Sequence, residues 1–211
     1  MSEKKENEEI IKIMTLGNSE VGKTSFIMKY TDNIFQHNYL STTGLDFKVN
    51  IVTIKDKQYR VFLYDTAGQE RFRSIALNII KDTDGILLMY DITNRRSFEC
   101  LPEWIKNVKD SKGKDFAMIL IGNKIDLEGH RKISKEEGKE FADENELQFF
   151  ETSNKDGINI QEAALALINK IIENKKKENL DNNTRNINNV LSSKNISMKK
   201  DKKKCCIINF F

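Results

Sequence analysis

Eight residues near the N-terminus combine glycines, a lysine and a threonine in an order that can hold a chain of phosphates. The segment Gly17-Asn18-Ser19-Glu20-Val21-Gly22-Lys23-Thr24 satisfies G-x-x-x-x-G-K-[ST]. Its glycines allow backbone N–H groups to turn inward around an anion, and a helix that follows presents its positive end to the same charge. The lysine can reach the terminal phosphates, and the threonine hydroxyl can ligate Mg²⁺. The predicted phosphate-binding residues are Ser19, Glu20, Val21, Gly22, Lys23, Thr24 and Ser25.

The neighbouring segments match what such a loop requires. Residues 11–16 alternate as a half-buried strand does, and residues 25–30 open a helical pattern. A strand–loop–helix context is necessary before the motif has meaning. The alternative is a glycine-containing turn that matches the same motif and binds no ligand. The polar segments further along the chain weigh against that alternative. Glu20 is unusual here, because a carboxylate near phosphates repels them unless it turns to solvent or meets a basic side chain.

A second polar segment suits the chemistry of phosphate transfer to water. It comprises residues 65–70 and ends a predicted strand. Asp65 can hold a Mg²⁺-bound water, the Gly68 N–H can bond a γ-phosphate, and Gln69 can orient an attacking water.

Two further segments suit recognition of a base. Asn123-Lys124-Ile125-Asp126 follows the apolar run 116–122. A carboxylate there that accepts hydrogen bonds from guanine N1–H and the 2-amino group would reject adenine, which has no such donors. The segment 151–155 follows the last predicted strand and could direct backbone N–H groups to guanine O6, from Ser153, Asn154 and Lys155. Each segment is a weak signal alone, but their order and their places at strand ends make chance agreement a poor explanation.

Strands that alternate with helices must position these segments. The pattern predicts a hairpin of strands 46–54 and 59–64 with a turn at 55–57, buried strands at 85–90 and 116–121, and a last strand that ends at Phe150. Helices are predicted over 97–112 with Ser97 as cap, from a capping box at Ser134 and Glu137, and over 160–172. We predict an α/β fold with a six-stranded, mostly parallel sheet, one antiparallel edge strand and helices on both faces. In such folds the ligand lies outside the carboxyl ends of the strands.

Charge and composition bound the function. From Lys176 onward nine basic residues face three acidic ones, a net charge of +6, which leaves −3 for the rest of a chain of net charge +3. Nucleic-acid-binding domains place basic residues on a folded face, so this distribution argues against that class. The charged N-terminus is atypical of a secretory signal, and three cysteines without pairing spacing favour a reducing, cytoplasmic environment. We predict a flexible N-terminus at 1–9, one domain at 10–174 and a flexible, disordered tail at 175–211.

Taken together, these motifs resemble those of a small GTPase of the Ras superfamily, and specifically of its Rab branch. The resemblance covers residues 10–173 and includes the segments 41–47, 65–75 and 89–94. It implies the P-loop small GTPase fold, with Thr42 as a further Mg²⁺ ligand that senses the γ-phosphate and Phe35 as the aromatic that packs edge-on against guanine. Loops ordered by the γ-phosphate and released after hydrolysis would form the switch.

Three departures from the Rab pattern stand out. Tyr64 replaces the usual Trp, residues 79–83 replace the usual Tyr-Tyr-Arg-Gly-Ala, and Asn154 replaces Ala. The first two changes fall on the aromatic patch that Rab effectors read, so the resemblance does not identify an effector. We expect Asn154 to contribute mainly its backbone, which would preserve guanine recognition.

The resemblance implies a monomeric GTP hydrolase that uses Mg²⁺ and controls vesicle trafficking. Its partners would be guanine nucleotide, an exchange factor, a GTPase-activating protein, effectors, and escort and dissociation-inhibitor proteins, with no nucleic acid among them. It would cycle between the cytoplasm and the cytosolic face of endomembranes. A GTP-binding scaffold with little turnover is the alternative class, and Asp126 disfavours an ATPase.

The C-terminal residues suggest attachment to a membrane. Five lysines between residues 199 and 204 precede Cys205 and Cys206, and an apolar segment follows them. Similarity to Rabs implies geranylgeranylation of both cysteines, although the segment beyond them is longer than in usual Rab endings and neither cysteine occupies the C-a-a-X position. Prenylation despite the extension, prenylation after trimming, palmitoylation and an unmodified tail remain open.

Overall fold

The computed structural model describes residues 9–35, 45–66, 78–113 and 116–180. The chain divides into two compact units, Met1–Ile171 and Ile172–Phe211. The sheet and the candidate site belong to the first unit, and residues 172–180 of the second are helical.

Six strands form a single sheet, as predicted. They are β1 (Glu9–Leu16), β2 (Leu45–Ile54), β3 (Lys57–Thr66), β4 (Gly85–Asp91), β5 (Ala117–Asn123) and β6 (Gln148–Thr152). Their order is β2-β3-β1-β4-β5-β6, in which β2 pairs antiparallel with β3 and all other pairs are parallel. The predicted mostly parallel sheet with an antiparallel edge strand is therefore confirmed.

The pattern of burial explains these strands. Every residue of β4 and β5 is buried, which is what continuous apolar runs covered on both faces require. The β2–β3 hairpin has one face more exposed, and its turn is two residues long. Lys55 and Asp56 both have positive φ, at 49° and 62°, as the turn that matches strand twist demands.

The helices are α1 (Lys23–Asp32), α2 (Arg95–Glu99), α3 (Leu101–Lys112), α4 (Lys135–Glu144) and α5, which spans residues 160–171 of the first unit. The predicted single helix over 97–112 is wrong, because it is broken at Cys100 into α2 and α3. Pro102 lies in the first turn of α3 and has no N–H to continue the hydrogen bonding of α2. Ser97 does not cap a helix but lies buried inside α2, where its Oγ donates to Asn94 O at 2.6 Å.

Ser134 caps α4, as predicted, by accepting from Glu137 N at 3.0 Å. The Glu137 carboxylate, which a capping box would direct back to Ser134, binds Arg95 at 2.6 Å.

Two other predicted boundaries differ from those of the structure. β6 continues past Phe150 because its last residue, Thr152, still pairs with the end of β5. Residues 175–180 are helical, although the sequence places them in a flexible tail, since lysine and glutamate favour helix even without an apolar face.

Helices cover both faces of the sheet. Side chains of α2, α3 and α4, including Phe98, Trp104 and Ala142, pack on one face. On the other face, a Cβ built on Gly85 would lie 2.6 Å from Ile171 Cδ1 of α5, so this helix packs closely on the start of β4. Within the described parts of the chain, no helix has both the length and the apolar character needed to cross a bilayer.

Candidate functional site

The carboxyl ends of the parallel strands meet at one edge of the sheet, and the predicted segments meet there too. A pocket of about 430 Å³ at this edge is lined by residues from the loop after β1, the first turn of α1, the segment that follows α1, the end of β5 and the segments after β5 and β6. The lining residues are Glu20, Gly22, Ser25, Phe35, Asn123, Lys124, Asp126, Leu127, Asn154 and Lys155. All except Leu127 are residues that the sequence singles out for nucleotide binding.

Two glycines of the phosphate loop are required by close approach of other atoms. Gly17 has φ +138°, and a Cβ there would lie 2.2 Å from Met89 O of β4. Gly22 has φ +100°, and a Cβ there would lie 2.4 Å from Asn123 Nδ2 and 2.7 Å from Asn154 Nδ2. Glu20 also has positive φ, at 66°, and its side chain is exposed. The carboxylate thus takes the solvent-facing orientation that the sequence leaves as one of two possibilities.

Lys23 is a buried ammonium at the start of α1. Its Nζ donates to Gly17 O at 3.0 Å and to Asn18 O at 2.7 Å. Burial lowers the pKa of Lys23 to about 8, and the nearby carboxylate of Asp65 partly offsets this effect. A buried cation held by the carbonyls of a glycine loop is an arrangement that an anionic ligand would stabilise.

Thr24 and Asp65 join the phosphate loop to the end of β3. The Thr24 hydroxyl donates to Asp65 Oδ2 at 2.6 Å, and Asp65 is 5% exposed. Mg²⁺ prefers oxygen ligands and is usually bound by one or two carboxylates together with substrate phosphates. A hydroxyl and a carboxylate oxygen beside the phosphate loop therefore fit this ion.

The loops after β5 and β6 are fixed by side-chain hydrogen bonds. Asn123 Nδ2 donates to Val21 O at 2.8 Å, and Asn123 Oδ1 accepts from Thr152 Oγ1 at 3.0 Å. Ser153 Oγ donates to Asp126 Oδ1 at 2.8 Å. This bond fixes the orientation of the Asp126 carboxylate in the pocket wall.

Asn154 contacts the phosphate loop through its side chain. It is 4% exposed, and its Nδ2 donates to Gly22 O at 2.9 Å. The expectation that this residue would contribute mainly its backbone omits that contact.

The structure also adds residues that motif reasoning missed. Lys124 Nζ lies 2.7 Å from Asp91 Oδ2 at the end of β4. Trp104 Nε1 donates to Asn18 Oδ1 of the phosphate loop at 3.2 Å. Asp91 could have been found because it comes directly after the apolar run 85–90, much as Asn123 comes after the run 116–122, whereas the contact of Trp104 has no local signal.

Five predicted functional residues lie outside the described parts of the chain. They are Thr42, Gly68, Gln69, Cys205 and Cys206. Their roles stay predictions.

The fold and the site define a P-loop α/β protein that binds a nucleotide. A sequence profile of the Ras family matches residues 12–173. The chain is 41% identical over 172 residues to Ras-related protein Rab-3A of Homo sapiens, covering 82% of this chain and 78% of the relative. It is 39% identical over 170 residues to Ras-related protein Rab-10 of Diplobatis ommata, covering 81% and 85%. To Ras-related protein Rab-13 of Bos taurus it is 38% identical over 176 residues, covering 83% and 87%.

The chain therefore belongs to the Ras family and is a Rab-like small GTPase, a GTP hydrolase of vesicle trafficking. The predicted fold class and the predicted enzyme class are both confirmed.

Proposed function

We propose that this chain binds GTP with Mg²⁺, hydrolyses it to GDP and phosphate, and recruits effectors to endomembranes in its GTP state. The observation that carries the proposal is the single pocket in which the phosphate loop meets Phe35, Lys124 and Asp126. A phosphate-binding loop alone would fit many nucleotides, but a carboxylate in the same pocket selects among the bases.

Guanine selectivity rests on Asp126. Its carboxylate accepts hydrogen bonds from guanine N1–H and the 2-amino group, while the hydroxyl of Ser153 holds it at 2.8 Å. Adenine lacks both donors, so the half-buried carboxylate would gain no hydrogen bond from that base. Phe35 packs against the base, and the backbone N–H groups of residues 153–155 bond guanine O6.

The phosphates are bound by the loop between β1 and α1. Lys23 pairs with the terminal phosphates, and backbone N–H groups of residues 19–25 surround the chain. Mg²⁺, when bound, would supply positive charge that offsets the charge of the phosphates. Thr24 and Thr42 would ligate this ion, and Asp65 would hold one of its waters.

Hydrolysis depends on residues 68 and 69. The Gly68 N–H bonds the γ-phosphate, and Gln69 orients a water that attacks the γ-phosphorus as its bond to the GDP oxygen breaks. No arginine occurs in residues 17–24. We therefore expect slow turnover alone, with an activating partner supplying an arginine worth roughly 10³–10⁵ in rate.

Effectors dock on the exposed face of the β2–β3 hairpin. Phe47, Val49 and Ile51 alternate along β2, and each is 44–55% exposed. The Phe47 ring lies 6.1 Å from that of Phe62 and 6.2 Å from that of Tyr64. An apolar, aromatic surface of this kind is typical of protein interaction sites.

The remaining partners follow from the switch cycle. An exchange factor loads GTP, a GTPase-activating protein ends the signal, and escort and dissociation-inhibitor proteins handle the lipidated chain. Lipids on Cys205 and Cys206, together with the neighbouring lysines, hold this monomer on the cytosolic face of endomembranes, because stable attachment takes two signals.

Single-turnover hydrolysis of γ-labelled GTP by the purified full chain tests the proposal. We expect slow release of phosphate that requires Mg²⁺ and stops in Gln69→Leu, while both proteins bind GTP equally well. In cells, Gln69→Leu should stay loaded with GTP. Tight GTP binding with no hydrolysis by the wild type would instead identify a GTP-binding scaffold, and failure to bind GTP would reject the proposal.

A further inference from the structure

Two asparagine amides lie against the phosphate loop from the side of the base. Asn123 Nδ2 donates to Val21 O at 2.8 Å, and Asn154 Nδ2 donates to Gly22 O at 2.9 Å. The two acceptors are consecutive carbonyls, and the amide nitrogens lie 2.4 Å and 2.7 Å from the position that a Cβ of Gly22 would take. The end of β5 and the loop after β6 are therefore each joined to the phosphate loop by a side-chain hydrogen bond.

We propose that Asn154 is a positioning residue that locks the guanine-binding loop after β6 to the phosphate loop and thereby slows nucleotide release. The inference rests on the proposed function and deepens it, because it concerns how the same pocket retains its ligand. Asn154 acts through Gly22 O and does not contact the reacting atoms.

The hydrogen bond from Asn154 to Gly22 O can slow release because it joins the loop beside the base to the loop beside the phosphates. A nucleotide spans the pocket from its base, beside residues 153–155, to its phosphates, beside residues 17–24. Departure requires these two loops to separate, and the bond from Asn154 to Gly22 O must then break. Asn154 is 4% exposed, so little water is present to replace the bond as it breaks.

The effect should fall on release rather than on folding. Gly22 O also accepts from Phe26 N at 2.9 Å, so removal of Asn154 leaves this carbonyl bonded. Asn154 Oδ1 is buried and accepts no hydrogen bond from the described part of the chain. Truncation removes one favourable bond and one unsatisfied acceptor together, and such a change is nearly neutral for stability.

The experiment compares release of fluorescent GDP from the wild type, Asn154→Ala and Asn154→Leu. Leucine keeps approximately the size of asparagine but has no donor, so it separates the hydrogen bond from packing. Asn145→Ala is the matched control, because Asn145 Nδ2 also donates to a carbonyl, that of Phe141 at 2.9 Å, at the end of α4. Each loaded protein is chased with excess GDP, and its thermal unfolding is measured at saturating GDP.

Both Asn154 variants should release GDP about two- to tenfold faster than the wild type, the range expected for one hydrogen bond. Asn145→Ala should release it at the wild-type rate. Single-turnover hydrolysis of preloaded GTP should be unchanged in Asn145→Ala. In the Asn154 variants, the rate constant for GDP release should change more than the rate constant for GDP association, which a general disturbance of the site would not produce.

Wild-type release in both variants would overturn the proposal, and so would wild-type release in Asn154→Leu alone, since packing would then be the cause. If Asn154→Ala does not fold, the leucine variant decides the outcome. A wild type that retains no guanine nucleotide would reject the proposed function itself, and this inference with it.

Discussion

Replacement of Asp91 by asparagine tests whether an ion pair between neighbouring strand ends holds one wall of the pocket. Asp91 ends β4 and lies opposite Asn123 in the register with β5, which brings its carboxylate next to Lys124. Asp91 Oδ1 accepts from both Thr93 N and Thr93 Oγ1 at 2.8 Å. Asparagine keeps an oxygen for these two bonds, but its NH₂ group then faces Lys124 Nζ, so the substitution removes both the negative charge and the acceptor for that ammonium.

The magnitude follows from burial. The two charged atoms are 2.7 Å apart, and the side chains are 7% exposed for Asp91 and 30% for Lys124. An exposed ion pair contributes about 0.2–1 kcal/mol, whereas loss of one partner from a fully buried pair costs about 3–5 kcal/mol. Because Lys124 can still turn to water, we expect the free energy of unfolding to fall by about 1–2 kcal/mol.

Two measurements check this expectation. Thermal unfolding at saturating GDP should shift down by about 2–8 °C. Since Lys124 lines the pocket, release of fluorescent GDP should also accelerate, by at most about five- to thirtyfold. Asp143→Asn is the matched control, because its pair with Lys139 is 58–59% exposed and lies on α4, where we expect about 0.5 kcal/mol or less.

The reasoning fails if the two variants lose the same stability, or if Asp91→Asn releases GDP at the wild-type rate. Salt provides a further check. High ionic strength screens exposed charges much more than buried ones, so the effect of Asp143→Asn should vanish in 1 M salt while most of the effect of Asp91→Asn persists.

Two more predictions concern the base and the membrane. Asp126→Asn should weaken GTP binding by about 1.5–3 kcal/mol and let xanthosine triphosphate compete in a displacement assay, whereas unchanged GTP affinity would remove Asp126 from base recognition. The double variant Cys205→Ser/Cys206→Ser should move from membranes to the cytosol, and the intact mass of the wild type from its native cell should include two lipid chains; unmodified cysteines would refute the anchor.

Local patterns carried much of the fold and the site. The G-x-x-x-x-G-K-[ST] loop is recognisable because glycine, lysine and threonine at this fixed spacing can bind a phosphate without residues from elsewhere in the chain. Buried strands such as β4 and β5 are recognisable because a continuous apolar run, too short for a helix, precedes the polar residue that ends each of them. Asp126 could be predicted because its carboxylate is held within a short polar segment right after such a strand.

The ends of helices were harder to predict from the sequence, because short-range hydrogen bonds determine them as much as the pattern of apolar residues does. The sequence predicts Ser97 as a helix cap, yet Asn94 precedes the first turn of α2, and Pro102 lies in the first turn of a separate helix. Residues 175–180 lack an apolar stripe and still form helix, because helix propensity does not depend on burial.

Only the tertiary structure decided which distant side chains meet at the phosphate loop. The sequence requires a glycine at position 22 for a turn, but two amide nitrogens, from Asn123 and Asn154, occupy the space that its Cβ would need. Lys124 is separated by 33 residues from Asp91, and the parallel register of β4 and β5 brings them to 2.7 Å. Sequence spacing cannot encode such contacts, because they depend on strand order and register, which the packing of the whole sheet determines.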